Sequence, residues 1–592
     1  MAAYSCFVLL MLVMVGGSGK EPTWGKLGKV GFAIGRNSPG LIPRNRSHFV
    51  KDVRRAQRDY LKNYEAVSGL ETSKTMGLLY EGGSAAEFAL PTSLRADSGS
   101  VLALKFFGHD ASIAVAKGGR IQCVLELERL FEIRYFSPSA DSDDPAYTWF
   151  SALELVQKKC ECEDGICPTS FDHGVLVNFG TRLGARWQVN FPKLVEEVFP
   201  VREWRNVNHH EAHAMLGYFA SPFRSAFILS YDGGANDGES TAGQRAAAAT
   251  IQSEFERLVT SKVHDFLTRL QTAEADVEGI VLTGGCALNV VANQLIRDHF
   301  TEAVSIQPDI RKPRDVYVPP APNDSGLTVG AVWAVTPPTG PRQPLQYLGF
   351  RLWDLDILEQ EARQRGALRL SELGGVVHLA ELLAGGPAWQ AETARRPREQ
   401  IRFSKPIIAV VRGRQEFGPR ALGHRSLLAV PDSEAMRDRM NRLKFRQWYR
   451  PVAPMIAEEA LEEVFGHKYT SSYMEFAPKV LEEVRRRFPA LAHFDGTARH
   501  QSVSRADEPW VHALLLAVGR WTGLAALMNT SFNSKGKPIV NSVKESLQML
   551  DELADLDYVL IDDWLFRAPF LKEPGRLPDE SNSVQASHVG PV

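Results

Sequence analysis

QEFGPRALGHRS, residues 415–426, follows an apolar run at residues 406–411. This order predicts a buried strand that leads into a loop carrying two arginines, Arg420 and Arg425. Glycine permits backbone angles that other residues avoid and proline fixes φ, so the Gly-Pro turn can hold both guanidinium groups in a defined geometry. Arginine binds phosphate and carboxylate oxygens through paired hydrogen bonds. The stretch is therefore an anion-binding loop or, in the alternative interpretation, a turn with two solvated arginines.

Further polar residues follow this loop at short intervals. They are Asn441, Lys444, Arg446 and the run RPVAP at residues 450–454. Together with EFGPRALGHRS, they resemble the C-terminal domain of the O-carbamoyltransferases, typified by nodulation protein U and the antibiotic carbamoyltransferases. The resemblance extends, with interruptions, from about residue 101 to residue 566.

The resemblance implies that residues 346–573 form an α/β domain similar to threonylcarbamoyl-AMP synthase. Two more motifs belong to this domain, FDGTARHQSV at residues 494–503 and MNTSFN at residues 528–533, which ends a strand-like run. Four cations would bind carbamoyl phosphate, and two neutral side chains would bond ATP or the carbamoyl amide. The cations are Arg420, Lys444, Arg450 and Arg499, and the neutral side chains are Asn529 and Ser531. Arg420 is also the expected catalytic arginine. The alternative is a set of surface ion pairs, usually worth less than about 1 kcal/mol each.

The first strongly patterned region contains short apolar runs at residues 101–106, 111–116 and 121–126, which predict an antiparallel meander. His109 and Asp110 lie in its first turn, and their spacing alone favours a turn in which Asp110 caps backbone amides. With ELER at residues 126–129, the turn resembles the opening pattern of the family. The resemblance implies an actin-like, sugar-kinase-like ATPase fold for residues 99–336. It also implies that His109 is the general base for an acceptor hydroxyl and that Arg134 occupies a ligand position where the family has lysine.

NHHEAHA, residues 208–214, indicates a metal site. His209 and His213 are four residues apart and would share one face of a helix, where imidazoles suit iron, zinc or related metals. The alternative is a capped helix with incidental histidines. Asp324, at the start of another apparent helix, and Asp232, at the end of a strand-like run, are candidate carboxylate ligands. In the family the matching residues hold an iron-type ion, so we expect a divalent metal, Fe(II), at these four residues.

LTGGCALN, residues 282–289, follows a strand-like run and resembles the nucleotide-binding turn of the family. Gly284 and Gly285 would let backbone amides approach ATP, the expected cofactor, with a contribution from Asn289. Relatives insert a long stretch after the position of residue 239, whereas this chain passes at once into a helix-like segment at residues 241–270. The N-terminal domain is therefore a shortened natural form or the product of an incomplete gene model.

Composition places the 592-residue chain among ordinary globular proteins of two to four domains, since 44% of its residues are hydrophobic and 23% charged. The net charge of -2 provides no field that would gather nucleic acid. An apolar stretch at residues 6–15 predicts a signal or organelle-targeting segment within residues 1–19, so we expect a cytoplasmic or organellar protein with no membrane span after that segment. We also predict an extension at residues 20–98, a linker at residues 337–345 and a disordered tail at residues 574–592.

Six cysteines are present in the chain, and Cys160, Cys162 and Cys167 lie close together in sequence. They fit a metal site completed by His173, a loop disulfide, or a variable surface loop. The low cysteine count predicts a reducing compartment.

These observations predict an α/β, two-domain, ATP-dependent O-carbamoyltransferase. As the resemblance implies, the C-terminal domain would join carbamate from carbamoyl phosphate to ATP. The metal-containing N-terminal domain would then transfer the carbamoyl group from carbamoyl-adenylate to a hydroxyl of a small-molecule acceptor, and a homodimer is an allowed assembly. One alternative is threonylcarbamoyl-type transfer to tRNA, which the lack of an evident basic surface disfavours. Another is a non-catalytic nucleotide- or metal-binding protein, which the missing stretch favours.

Overall fold

The computed structural model describes residues 99–106, 108–142, 144–178, 185–223, 226–230, 242–272, 278–301, 313–394, 405–447 and 449–569. By their contacts these residues fall into two units. Unit 1 contains residues 99–350 and the short segments Phe417–Arg420 and Glu475–Ala477, and unit 2 contains the other described residues. The predicted targeting segment, the extension at 20–98, Asp232 and the tail at 574–592 lie outside the described residues.

Unit 1 begins with a five-stranded sheet in the order β3-β2-β1-β4-β5. Its strands are β1 (Ser100–Lys105), β2 (Ser112–Lys117), β3 (Arg120–Glu126), β4 (Phe171–Asn178) and β5 (Val201–Asn208). The first three strands pair antiparallel, which confirms the predicted meander, and β4 pairs parallel with both β1 and β5. Nearly every residue of β1 and β2 is buried, so both faces of the sheet are covered in this region.

The helices of unit 1 are α1 (Leu127–Phe131), α2 (Pro138–Asp141), α3 (Pro145–Lys159), α4 (Ala185–Glu196), α5 (His209–Ala220), α6 (Ala242–Thr272), α7 (Val290–Phe300) and α8 (Leu327–Val335). Helices α5 and α8 approach each other closely, because a β-carbon added at Gly330 would lie 1.8 Å from the carbonyl oxygen of Ala212. Only glycine permits this approach. The two predicted histidine ligands on α5 are thereby held against the segment that begins α8.

A second, parallel sheet of unit 1 contains β6 (Ala226–Ser230), β7 (Gly279–Thr283) and β8 (Asp315–Tyr317) in the order β6-β7-β8. Helix α6 confirms the long helical segment predicted at residues 241–270. Its buried side chains Val259 and Val263 belong to the same hydrophobic cluster as Ile280 and Leu282 of β7. This sheet carries the glycine turn that follows β7.

Unit 2 is built on an eight-stranded mixed sheet in the order β13-β12-β14-β11-β10-β15-β16-β9. Its strands are β9 (Leu368–Arg369), β10 (Ile408–Val411), β11 (Arg425–Ala429), β12 (Ala453–Ala457), β13 (Gln501–Val503), β14 (Ala526–Ser531), β15 (Tyr558–Ile561) and β16 (Trp564–Arg567). Strand β10 confirms the strand predicted from the apolar run at residues 406–411, and β14 confirms the strand-like run that the motif MNTSFN ends.

Helices cover both faces of this sheet. They are α9 (Leu358–Arg365), α10 (Leu370–Leu373), α11 (Val376–Leu383), α12 (Pro387–Ala394), α13 (Glu434–Leu443), α14 (Leu461–Phe465), α15 (Glu482–Arg487), α16 (Pro509–Thr522) and α17 (Val543–Glu552). Side chains alternate along a strand, so Ile408 and Val410 join the cluster that contains α11 and α16, whereas Ala409 and Val411 join the cluster that contains α13 and α17. Two helical layers on one sheet confirm the predicted α/β class. Within the described ranges, none of the helices is long and apolar enough to cross a bilayer.

The predicted linker at residues 337–345 contains no helix or strand. Its last residue, Leu345, is buried in the core of unit 1, and the side chain of Gln343 exchanges hydrogen bonds with the backbone of Ile121. The boundary between the units, as defined by contacts, falls after Phe350.

Two disulfides correct the prediction that the cysteines are reduced. Cys123 on β3 is bonded to Cys160 at the end of α3, and Cys162 is bonded to Cys167 within the following loop. The loop disulfide that the sequence left open is therefore present. Because disulfides persist in oxidising environments, this pairing disagrees with the expected reducing compartment.

Candidate active site

The predicted metal ligands of unit 1 meet in a buried cluster. Asn208 starts α5 through a capping box with Glu211, which places His209 and His213 on one face of the first helical turns. Asp324 lies in the 3-10 turn that leads into α8. Its Oδ1 atom is 3.4 Å from Nε2 of His209 and 3.5 Å from Nε2 of His213.

This donor set fits a divalent metal. Atoms that bind one tetrahedral ion at about 2.1 Å lie about 3.4 Å apart, close to the observed separations. All three side chains are buried, and Oδ1 of Asp324 accepts no hydrogen bond from the part of the chain that the structure describes. Burial opposes ionisation of Asp324, but the ammonium of Lys105 and the two imidazoles outweigh it and hold the pKa of the carboxyl well below its usual value. An ionised carboxylate and two imidazoles suit iron or zinc.

His109 lies beside this cluster on the turn between β1 and β2. Gly108 and Asp110, on either side of His109, both have positive φ. Nδ1 of His109 is 3.0 Å from Oδ2 of Asp110, and the amide of Asn323 donates to the same oxygen at 3.2 Å. The bond to Asp110 raises the pKa of His109 above its ordinary value of 6.5, against partial burial and the charge of Lys105. Because 61% of its side chain is exposed, His109 is accessible to a substrate.

Arg134 is exposed and stacks on its neighbour Tyr135. Its guanidinium carbon is 4.9 Å from the ring centre, and its Nη2 donates to the hydroxyl of Tyr135 at 3.0 Å. The same ring meets the edge of His109. The predicted ligand arginine therefore lies on the same surface as the candidate base.

The glycine turn after β7 lies next to the segment that carries Asp324. Gly284 has φ of 90° and donates its backbone N–H to the carbonyl of Pro322 at 2.8 Å. The side chain of Asn289 accepts from the backbone of Ala292, which caps α7, and pairs with Gln252. Asn289 thus has a structural capping role, and its contribution to nucleotide binding, like that of Gly284 and Gly285, stays a prediction.

The segment Phe417–Arg420 belongs to unit 1, where the ion pair of Glu126 and Arg129 forms hydrogen bonds with its backbone. Glu126 accepts the backbone N–H of Gly418 at 2.9 Å, and Arg129 donates to the carbonyl of Gly418 at 2.7 Å. Glu126 and Arg129 also bond each other at 2.8 Å and are buried. The Glu-Arg strand end noted in the sequence therefore fixes the peptide that precedes Pro419 and Arg420.

The other predicted anion ligand of this loop, Arg425, is structural. Its guanidinium is fully buried and donates to the carbonyls of Arg412, Gly413 and His424 and to the side chain of Asn541. Glu416, also buried, accepts the backbone N–H groups of Leu422, His424 and Arg425. The interpretation of Arg425 as an anion ligand is corrected, because backbone oxygens already occupy its donors.

In unit 2, two of the predicted polar residues, Lys444 and Arg446, bind the end of β14 and the residues that follow it. Lys444 donates to the backbone oxygens of Ser531 and Asn533 at 2.6 and 2.7 Å, and Arg446 donates to Thr530 at 3.1 Å. These acceptors are neutral oxygens, and the bonds position both cations at the end of β14. Burial and the neighbouring charge of Arg450 lower the pKa of Arg446 to about 10. A perturbed pKa of this kind is typical of functional sites.

Asn529 extends the same group of residues. Its amide donates to the carbonyl of Ala421 at 2.9 Å and to Gln501 at 3.1 Å, whereas its buried Oδ1 accepts no hydrogen bond from any described residue. Arg499 lies two residues before Gln501, and burial together with the charge of Arg499 lowers the pKa of His493 to about 4. Ser531 bonds the side chain of Asn533 at 2.7 Å. Arg420, which belongs to unit 1, is half-buried.

The sequence patterns did not point to Lys105 or Asn323 as site residues. Lys105 is 2.9 Å from Asp324, and Asn323 bonds Asp110. A lysine at the buried end of a strand was a signal that could have drawn attention to Lys105, because lysine is rarely fully buried without a partner.

Comparison with protein families matches two stretches of the chain. Residues 234–333 match the family model described as Carbamoyltransferase N-terminus, and residues 400–568 match Carbamoyltransferase C-terminus.

Similar proteins include nodulation proteins and a cephem carbamoyltransferase. Nodulation protein NolO of Bradyrhizobium diazoefficiens is 31% identical over 58% of this chain and 57% of its own length. Nodulation protein U of Azorhizobium caulinodans is 33% identical over 49% of this chain and 45% of its own length. The 3'-hydroxymethylcephem-O-carbamoyltransferase of Amycolatopsis lactamdurans is 33% identical over 49% of each chain. The chain thus spans about half the length of the curated relatives it matches.

Proposed function

From the matches of residues 234–333 and 400–568 to the N-terminal and C-terminal models of the carbamoyltransferase family, we propose that the chain transfers a carbamoyl group to a hydroxyl of a small-molecule acceptor. The name of the cephem relative describes a transfer of this kind for that protein. The acceptor of this chain is defined only by class, as a hydroxylated small molecule.

In the first step that we propose, unit 2 activates the carbamoyl group. One water molecule cleaves carbamoyl phosphate to carbamate and phosphate, and an oxygen of the carbamate then attacks the α-phosphorus of ATP and expels pyrophosphate, which gives carbamoyl-adenylate. The observation that carries this step is the placement of two cations at the end of β14, where Lys444 bonds Ser531 and Asn533 and Arg446 bonds Thr530, since cations bind an anionic phosphate. The buried acceptor Oδ1 of Asn529 suits the NH₂ group of a carbamoyl substrate. Arg499 would supply further positive charge.

In the second step, unit 1 transfers the carbamoyl group. His109 would accept the proton of the acceptor hydroxyl as the oxygen attacks the carbamoyl carbon, and AMP would leave with the bonding electrons. Asp110, bonded to Nδ1, would orient the imidazole and leave Nε2 as the base. Arg134 would bind the anionic part of a substrate. Water must be excluded, because carbamoyl-adenylate hydrolyses.

The residues His209, His213 and Asp324 would hold a divalent ion, which we propose to be Fe(II). When bound, such an ion supplies Lewis-acid stabilisation of negative oxygens. The order β3-β2-β1-β4-β5, with an antiparallel start and parallel continuation, supports the proposal that unit 1 is an actin-like ATPase-type domain.

Release of phosphate and pyrophosphate from carbamoyl phosphate and ATP, in the presence of Fe(II), tests this function. We expect one of each product per turnover with the wild type and at least a hundredfold slower release with Arg420→Ala, because a charge-assisted contact to the reacting phosphate is lost. Arg442→Ala is the matched control, since Arg442 is exposed on α13. Folded wild-type protein that releases neither product would reject the enzyme and favour a non-catalytic nucleotide- or metal-binding protein.

A further inference from the structure

Lys105 is a buried cation that the proposed reaction does not use. It ends β1, and only 2% of its side chain is exposed. Its ammonium is 2.9 Å from Oδ2 of Asp324 and also donates to the backbone carbonyl of His109. A buried ammonium is costly unless it is paired and hydrogen-bonded, and both conditions hold here.

The two oxygens of Asp324 are assigned to different partners. Oδ2 faces Lys105, whereas Oδ1 faces the Nε2 atoms of His209 and His213. A carboxylate can bind a metal through one oxygen or through both. Because Lys105 holds Oδ2, only Oδ1 is directed toward the point where the histidines converge.

We propose that Lys105 is a positioning residue that restricts Asp324 to binding a divalent metal through one oxygen. Resting on the proposed metal site of unit 1, this inference concerns how that site is organised. Hydrogen-bond partners of metal ligands fix the orientation of those ligands, and their loss commonly lowers metal affinity 10- to 100-fold. Lys105 also links the metal site to the turn of His109, because its ammonium contacts both the carboxylate of Asp324 and the backbone carbonyl of His109.

A competing explanation is that Lys105 replaces the metal charge. In that case the ammonium would neutralise Asp324 in a site that binds metal weakly, and removal of Lys105 would tighten metal binding. The two explanations therefore predict opposite changes in affinity.

Cobalt(II) titration of the full chain separates them, because the visible absorption of bound cobalt reports both occupancy and coordination geometry. We expect the wild type to bind one equivalent and Lys105→Met to bind at least tenfold more weakly, with an altered spectrum as Oδ2 becomes able to bind. Lys117→Met is the matched control on the next strand, where Lys117 is paired with Asp164 at the surface, and it should bind cobalt like the wild type. Equal or tighter binding by Lys105→Met would overturn the proposal.

A second measurement needs no Lys105 variant and so does not depend on that variant folding. The infrared difference between cobalt-loaded and metal-free wild type shows the two carboxylate stretches of Asp324, assigned by their absence in Asp324→Asn. One-oxygen binding separates these bands more widely than two-oxygen binding does, and a narrow separation would overturn the inference. Absence of cobalt binding by the wild type would instead reject the proposed metal site itself, and this inference with it.

Discussion

At the scale of single residues, the polar side chains divide into those that shape the backbone and those that face a substrate. Arg425 and Glu416 belong to the first group, because their donors and acceptors are engaged by backbone groups. His109 belongs to the second, since it is exposed and contacts Asp110 through Nδ1. The hydrogen-bond partners of a side chain, more than its residue type, distinguish a structural role from a substrate-facing one.

The bond between Asp110 and His109 sets the pH dependence that we expect for carbamoyl transfer. The neutral imidazole acts as base, so the rate should rise with pH through a pKa above 6.5. Asp110→Asn removes the charge that raises this pKa, so the acid limb of the pH–rate profile should move to lower pH. Steady-state transfer measured over roughly pH 5 to 9, about two units on either side of neutrality, tests this expectation.

His109→Gln is the control for that profile. It should abolish the limb and slow transfer roughly 10²- to 10⁴-fold, the usual range for a general base. A limb that stays in place in Asp110→Asn would contradict the assignment of His109 as the titrating group.

Arg425→Ala should destabilise unit 2 even when no substrate is bound, because Arg425 has a structural role. The substitution leaves the carbonyls of Arg412 and Gly413 and the side chain of Asn541 without their donors. We expect the free energy of unfolding to fall by on the order of 3 kcal/mol in urea titrations followed by tryptophan fluorescence. Arg442→Ala, an exposed change, should stay within about 0.5 kcal/mol. A loss below about 1 kcal/mol for Arg425→Ala would reject the structural role.

At the scale of secondary-structure elements, α5 and α8 position the candidate metal ligands. The capping box at Asn208 decides where α5 starts, and the glycine contact between Gly330 and Ala212 decides how near α8 lies. Strand β3 contributes differently, because its end provides Glu126 for the loop at Gly418 and its middle provides Cys123 for a disulfide.

The disulfide between β3 and α3 should contribute more stability than the disulfide within the loop. Cys123 and Cys160 are separated by 37 residues, whereas Cys162 and Cys167 are separated by 5. From the entropy of loop closure we expect losses of about 4 kcal/mol for Cys123→Ser with Cys160→Ser and about 2 kcal/mol for Cys162→Ser with Cys167→Ser. Urea unfolding of both double variants measures these losses. Equal losses, or none from either pair, would contradict the prediction.

At the scale of the whole molecule, the net charge of the chain favours transfer to a small molecule over transfer to tRNA. A net charge of -2 over 592 residues supplies little attraction for phosphate backbones. We expect no salt-dependent retention of tRNA in filter-binding assays at about 1 μM protein. Binding below that concentration that weakens with added salt would contradict this expectation and favour the threonylcarbamoyl-type alternative.

The sequence by itself determined much of the local structure. The alternating apolar runs predicted the meander of β1 to β3, and spacing placed His209 and His213 on one helical face, because both depend on short-range periodicity. The motif EFGPRALGHRS also indicated the family whose two domain models match the chain.

Only the tertiary structure decided which of these residues share a site. Asp324 is more than a hundred positions from His209 and His213 in the sequence, yet it lies beside both in the structure. Lys105, at the end of β1, contacts Asp324. The guanidinium of Arg425 donates to backbone carbonyls and therefore does not face a ligand. The cysteine pairing was likewise open in the sequence, since Cys123 reaches Cys160 only when β3 and α3 pack together. Such contacts depend on packing between distant segments, which local periodicity does not encode.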